Sequence, residues 1–198
     1  NGQFNINFDF ESQIIICSYI LSIFNTYIKG DRFCNECVKE CSHFLELNIP
    51  YSLQSILGAE LPKDIKNVIA YPIVSIINQL LLFGDQVLVE NFAITLNICL
   101  FVDLCELEIS GICAKCFSII ESLINICSNN ISILFQIEFY DKILKMIDYA
   151  NFDVKLQIVS IFLVTIFNAT STEICQFARQ LYVKFYIDID THGAFITI

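Results

Sequence analysis

Along nearly the whole chain apolar residues recur three and four positions apart, the spacing that lays an apolar stripe along one face of a helix. Gly and Pro sit mostly at breaks near Gly30, Gly58, Pro62, Gly84 and Gly111, so the pattern predicts a succession of helices. Only the ends alternate in twos, over 4–10 and 187–190. The expected organisation is an extended amino-terminal segment at 1–10, a helical domain over 11–186 and an extended tail at 187–198. The fold class it predicts is all-α.

Within the helical domain the pattern repeats. Ser22-Ile23-Phe24-Asn25, Ser75-Ile76-Ile77-Asn78, Ser122-Leu123-Ile124-Asn125 and Thr165-Ile166-Phe167-Asn168 share one order of hydroxyl, aliphatic, large apolar residue and Asn. Five residues before each Asn stands another aliphatic side chain, Ile20, Ile73, Ile120 and Leu163, and the Asn residues lie 53, 47 and 43 positions apart. Two further features keep the same phase. Asp64-Ile65-Lys66, Glu108-Ile109-Ser110 and Asp153-Val154-Lys155 are placed to open the helix ahead of the Asn, where its dipole favours a carboxylate. After the Asn, aliphatic-Glu pairs at Leu45-Glu46, Val89-Glu90 and Ile137-Glu138 are expected to lead into the next helix. A period in the forties built from helices is the mark of stacked helical repeats, here an alpha-alpha superhelix of about four degenerate copies.

These residues resemble armadillo repeats, most closely those of the importin-alpha branch, whose third helix typically ends in Trp-Ala-Leu-Ser-Asn. The small slot is filled by Ser22, Ser75, Ser122 and Thr165, and the Asn is kept. The stretch Glu46-Leu47-Asn48-Ile49-Pro50-Tyr51-Ser52-Leu53 is similar to the family's turn into its second helix. At the family's Trp position stand Leu21, Val74, Glu121 and Val164, so the indole shelves that grip Lys stems are absent. The resemblance implies an armadillo-like solenoid that holds an extended segment of a partner protein, and, in its most specific form, a nuclear import adaptor of the cytoplasm or nucleus.

Composition narrows the function classes. The 198 residues are 56% apolar and only 16% charged, which excludes disorder, because ample apolar surface is available to offset ordering entropy. Eleven Lys and Arg against twenty-one Asp and Glu give a net charge of -10, which argues against nucleic acid as a partner and for a basic protein or peptide. The mean hydropathy of +0.63 raises a polytopic membrane protein as an alternative. The longest uncharged runs, 67–84 with eighteen residues and 12–28 and 156–172 with seventeen each, fall short of the roughly 20 residues of a spanning helix. They also lack the Lys/Arg-rich flanks that orient one. A structural scaffold packed into a larger complex is the other alternative. The start carries neither an initiator Met nor a basic signal-peptide region, and the chain is expected to be a piece of something longer or processed.

Candidate chemistry is sparse. Cys34-x-x-Cys37-x-x-x-Cys41-x-His43 has metal-ligand spacing, but on a helix residues seven apart are separated by about 10 Å along the axis, too far for one tetrahedral ion. Cys113 and Cys116 lack the strand that precedes a thioredoxin-like redox pair. The ten Cys are therefore expected as reduced thiols packed like small hydrophobes, which fits an intracellular compartment. With two His and no Gly-rich phosphate loop, no catalytic constellation is legible, and neither enzyme activity, metal nor cofactor is expected. The best candidate site is the row Asn25, Asn78, Asn125 and Asn168, whose carboxamides can donate to and accept from the backbone of an extended peptide, with Glu121 favouring a basic one. The same Asn residues can instead cap helices or satisfy loop backbone, and both roles are open at this point.

Overall fold

The computed structural model describes residues 35–47, 49–105 and 111–179, and every regular element among them is helical. The segments expected to be extended, 1–10 and 187–198, lie outside the described residues, as does Asn25. Nine helices are delimited: α1 Asn35–Glu46, α2 Ile49–Gly58, α3 Lys63–Phe83, α4 Gln86–Ala93, α5 Ile98–Cys105, α6 Ile112–Ile126, α7 Asn129–Gln136, α8 Phe139–Met146 and α9 Phe152–Asn168. A further helical segment runs through 171–179. In order, two short helices are followed by a long one three times over, the long ones having 21, 15 and 17 residues. Each long helix carries one of the repeated Asn residues in its last six positions.

The helix starts follow local chemistry. Asp64 and Asp153 stand in the first turns of α3 and α9, as expected from the dipole, while Glu108 lies outside the described residues. Asn151 caps α9 by accepting from Val154 N at 3.0 Å. The Glu-led entry holds for one helix and fails for another. Glu138 immediately precedes α8, in a left-handed conformation with φ 56°. Glu90 instead lies inside α4, because Asp85 has already capped that helix, accepting from Val87 N at 3.0 Å and Leu88 N at 3.4 Å. Pro72 sits within α3 without ending it. Its missing N–H leaves one carbonyl unmatched in the ladder, one turn back at half-exposed Val68, where water can serve it.

The chain forms two compact units that divide at Ile119 and Ile120. In the first, α1 packs on α2, α3 and α4, and α2 also packs on α3. Its core holds Leu57, Ile73, Ile77, Leu80, Phe92, Phe101 and Phe117, all at most 2% exposed. Gly84 joins α3 to α4 with an ordinary φ of -68°, and the need there is space. A Cβ would fall 2.7 Å from Leu45 and Val89 side chains and 2.8 Å from Leu80 O. The second unit packs α7 on α8 around an aromatic cluster. Tyr140 lies 4.6 Å from Phe135 and 5.1 Å from Phe177, ring centre to ring centre, and Phe162 lies 5.1 Å from Phe177.

Among the described residues only α3 is by itself long and apolar enough to cross a bilayer, and more than half of its most apolar stretch is buried inside the protein. The consecutive α4 and α5 match that length and apolarity only when joined, and a 78° bend separates them.

Candidate functional site

The long-range side-chain hydrogen bonds have a common span. In the first unit, Gln54 donates through Nε2 to Thr95 O at 3.3 Å and accepts through Oε1 from Asn97 N at 2.7 Å, 41 and 43 residues away. Ser42 Oγ accepts from Asp85 N at 3.0 Å, again 43 residues on. In the second unit, Ser160 Oγ donates to Glu121 Oε1 at 2.8 Å, Ser132 Oγ to Glu173 Oε1 at 2.6 Å and Asn168 Nδ2 to Asn125 Oδ1 at 3.3 Å, spans of 39, 41 and 43. Within each unit these bonds tie a residue to one about a repeat length away. Tyr140 Oη and Thr165 Oγ1, 2.9 Å apart and both buried, have a shorter separation of 25 residues.

The predicted site residues that are described divide between the units. In the second unit Glu121, Asn125 and Asn168 lie on the α6 and α9 faces that these bonds join. Asn125 is exposed and its Oδ1 accepts from Asn168, leaving its own N–H groups at the surface. Asn168 Nδ2 also donates to Val164 O one turn back, at 2.9 Å. Neither residue satisfies the end of α6, since the Leu123 carbonyl there is taken by Asn130 Nδ2 at 2.9 Å. Asn78, in the first unit, is only 9% exposed and its Oδ1 has no hydrogen-bond partner. A buried carboxamide oxygen left without a donor costs about 1–3 kcal/mol. Gln157 on α9 and Gln79 on α3 carry the same kind of orphaned buried oxygen. Sequence reading passed over both glutamines because they recur at no common register.

Three cysteines cluster in one place. Cys105, at the end of α5, is buried, donates to Phe101 O at 3.2 Å and is in hydrogen-bonding contact with both Cys113 and Cys116 of α6. Burial pushes the Cys105 thiol well up, and the Cys105 hydrogen bond draws Cys113 down. The metal-like spacing at the start of α1 does not converge where it is described: Cys41 is fully buried, whereas His43 is exposed and lies 3.8 Å from Glu46. Cys34 lies outside the described residues, and among those described no group of three His, Cys, Asp or Glu is placed to hold a metal ion.

An open cavity of about 660 Å³ in the first unit is lined by Lys39, Ser42, His43, Glu46, Asp85, Val87 and Leu88. Several of its polar groups are engaged in local bonds: Asp85 caps α4, Ser42 receives the Asp85 N–H, and His43 faces Glu46. Compared with known protein families, curated proteins and solved structures, the chain matches none.

Proposed function

We propose that this protein is a protein-binding scaffold, an armadillo-like solenoid that holds an extended, basic segment of a partner along its Asn-bearing helices. The observation that carries the reading is the 39–43-residue span of the side-chain hydrogen bonds in both units, the span expected when successive repeats stack. The thrice-repeated order of short, short and long helix supports the same reading. Asn125 offers an exposed carboxamide beside Glu121, a pairing suited to a peptide backbone flanked by cationic side chains. The orphaned Asn78 oxygen would gain the donor it lacks from a peptide N–H. The most specific form of the proposal is an adaptor for nuclear import, with recognition resting on carboxamides and carboxylates, since no indole stands at the shelf positions.

The test is fluorescence anisotropy with a labelled Lys/Arg-rich peptide of about ten residues, against an acidic peptide of equal length. Saturable binding of the basic peptide, weakened at least about tenfold by Asn78→Ala with Asn125→Ala, is the expected result. If the double substitution leaves the affinity unchanged while the protein stays folded, the Asn row is architecture and the proposal fails.

A further inference from the structure

The peptide-binding reading leaves unused the three thiols of the first unit, where Cys105 is in hydrogen-bonding contact with both Cys113 and Cys116. Cys105 is the last residue of α5 and Cys113 the second of α6, so their contact joins two helix ends. Helix ends adjust more readily than helix interiors, which helps two sulfurs close from contact to the about 2 Å of a disulfide bond. Access divides the three residues. Cys116 is 0% exposed and Cys105 8%, whereas Cys113 is only partly buried. The single Cys105 proton can serve Phe101 O, at 3.2 Å, or the Cys113 sulfur. Burial keeps that proton on Cys105, while its hydrogen bond, together with the first turn of α6, favours Cys113 as the thiolate. An accessible thiolate beside a buried, protonated thiol is the arrangement in which oxidation of the first can be resolved by the second.

From this juxtaposition we infer that Cys113 and Cys105 form a hydroperoxide-sensitive pair, in which Cys113 is oxidised first and Cys105 then closes a disulfide onto it. The Cys113 thiolate attacks one oxygen of the hydroperoxide and the O–O bond breaks. The oxygen that is attacked stays on sulfur as a sulfenic acid, and the other leaves as hydroxide and takes up a proton from solvent to become water. The Cys105 sulfur next attacks the sulfenic sulfur. The S–O bond breaks, and the departing hydroxide leaves as water with the proton that Cys105 gives up. In sum, two thiols lose two hydrogens and one hydrogen peroxide becomes two waters. Cys116 touches the same partner but is fully buried, so a peroxide in solution meets Cys113 first. A shared metal is not the alternative, since among the described residues no group of three ligands is placed to hold one. The inference stands apart from the peptide-binding reading, and its readout is a covalent bond rather than an affinity.

The experiment treats the reduced full chain with hydrogen peroxide, alkylates the remaining thiols with N-ethylmaleimide in urea, and maps the products by mass spectrometry. Cleavage after Glu90, Glu106, Glu108 and Glu121 places Cys105 in 91–106 and Cys113 in 109–121, and a further cut after Lys115 separates Cys113 from Cys116. Peptides 91–106 and 109–115 are expected to stay joined until a reductant is added, with fragmentation placing the bond on Cys105 rather than Cys99. Cys113 is expected to lose its free thiol at least about threefold faster than Cys175, although Cys175 is the more exposed. In Cys105→Ala the bond is expected to be lost and Cys113 to be trapped by dimedone as the sulfenic acid. Full recovery of alkylated Cys113 at a peroxide dose that oxidises Cys175 overturns the inference, as does a bond formed through Cys116 or any other cysteine in place of this pair. If Cys105→Ala does not fold, Cys113→Ser, at a partly exposed position, takes its place and must leave Cys105 fully alkylatable after peroxide. Cys105 oxidised in that variant to the wild-type extent overturns the order of events.

Discussion

Asn78 and Tyr140 show how differently two buried polar groups can be treated. Tyr140 keeps its hydroxyl 2.9 Å from Thr165 Oγ1, and Thr165 in turn donates to Ile161 O at 2.7 Å, so the pair is satisfied. Burial pushes the Tyr140 phenol up to about 12 from its ordinary value near 10. Because the folded state holds this proton more tightly than the unfolded chain, Tyr140 contributes its full stability below pH 10 and loses it as the pH rises from 10 through 12. The loss is on the order of 2 kcal/mol, and Tyr140→Phe should remove that part of the alkaline decline in denaturant titrations. Asn78 is not satisfied. Replacing it with Leu removes a desolvated oxygen and is expected to stabilise the fold by about 1 kcal/mol while abolishing basic-peptide binding. A destabilised Asn78→Leu protein would show that the carboxamide already has a structural partner.

At the level of elements, the connection between α3 and α4 depends on the absence of a side chain at Gly84. Gly84→Ala forces a Cβ against the Leu80 carbonyl, which belongs to the helix backbone and cannot swing away, so a loss of about 1–3 kcal/mol is expected in thermal or urea unfolding. Gly58, closing α2, has nothing within 4 Å of its would-be Cβ, and Gly58→Ala should be neutral or gain up to about 1 kcal/mol. The contrast between the two separates steric need from helix propensity. Sequence reading recognised both as breaks but could not rank them, because the crowding at Gly84 comes from the Leu80 carbonyl together with Leu45 and Val89, 39 residues before it and five after. It likewise placed Glu90 ahead of a helix that Asp85 had already begun, since one carboxylate five residues earlier reaches two amide protons.

For the molecule as a whole, charge sets how a basic ligand would be met. With a net charge of -10, association of a Lys/Arg-rich peptide is expected to slow by roughly an order of magnitude between about 20 and 200 mM salt, with a smaller change in the dissociation rate. Stopped-flow anisotropy reads the two rates separately, and a salt-independent association rate would argue against a charge-steered partner. The apolar balance acts at the same scale. A chain that is 56% apolar fills two compact cores and still leaves large apolar side chains exposed in both units, among them Val87 and Ile94 in the first and Leu156 and Phe167 in the second.

The sequence by itself determined that the described chain is helical, where α3, α8 and α9 begin, and the register that puts an Asn near the end of each long helix. These properties are local: periodicity of three and four, a carboxylate at the helix start, Gly or Pro at a break. Tertiary structure decided what the repeated residues do. It gave Asn125 a bond to Asn168 and a surface, gave Asn78 burial without a partner, and, five residues before the Asn, buried Ile73 in α3 and Ile120 in α6 while leaving Leu163 in α9 exposed. The reason is that burial depends on which element packs alongside, and identical apolar letters carry no record of whether a neighbour is present.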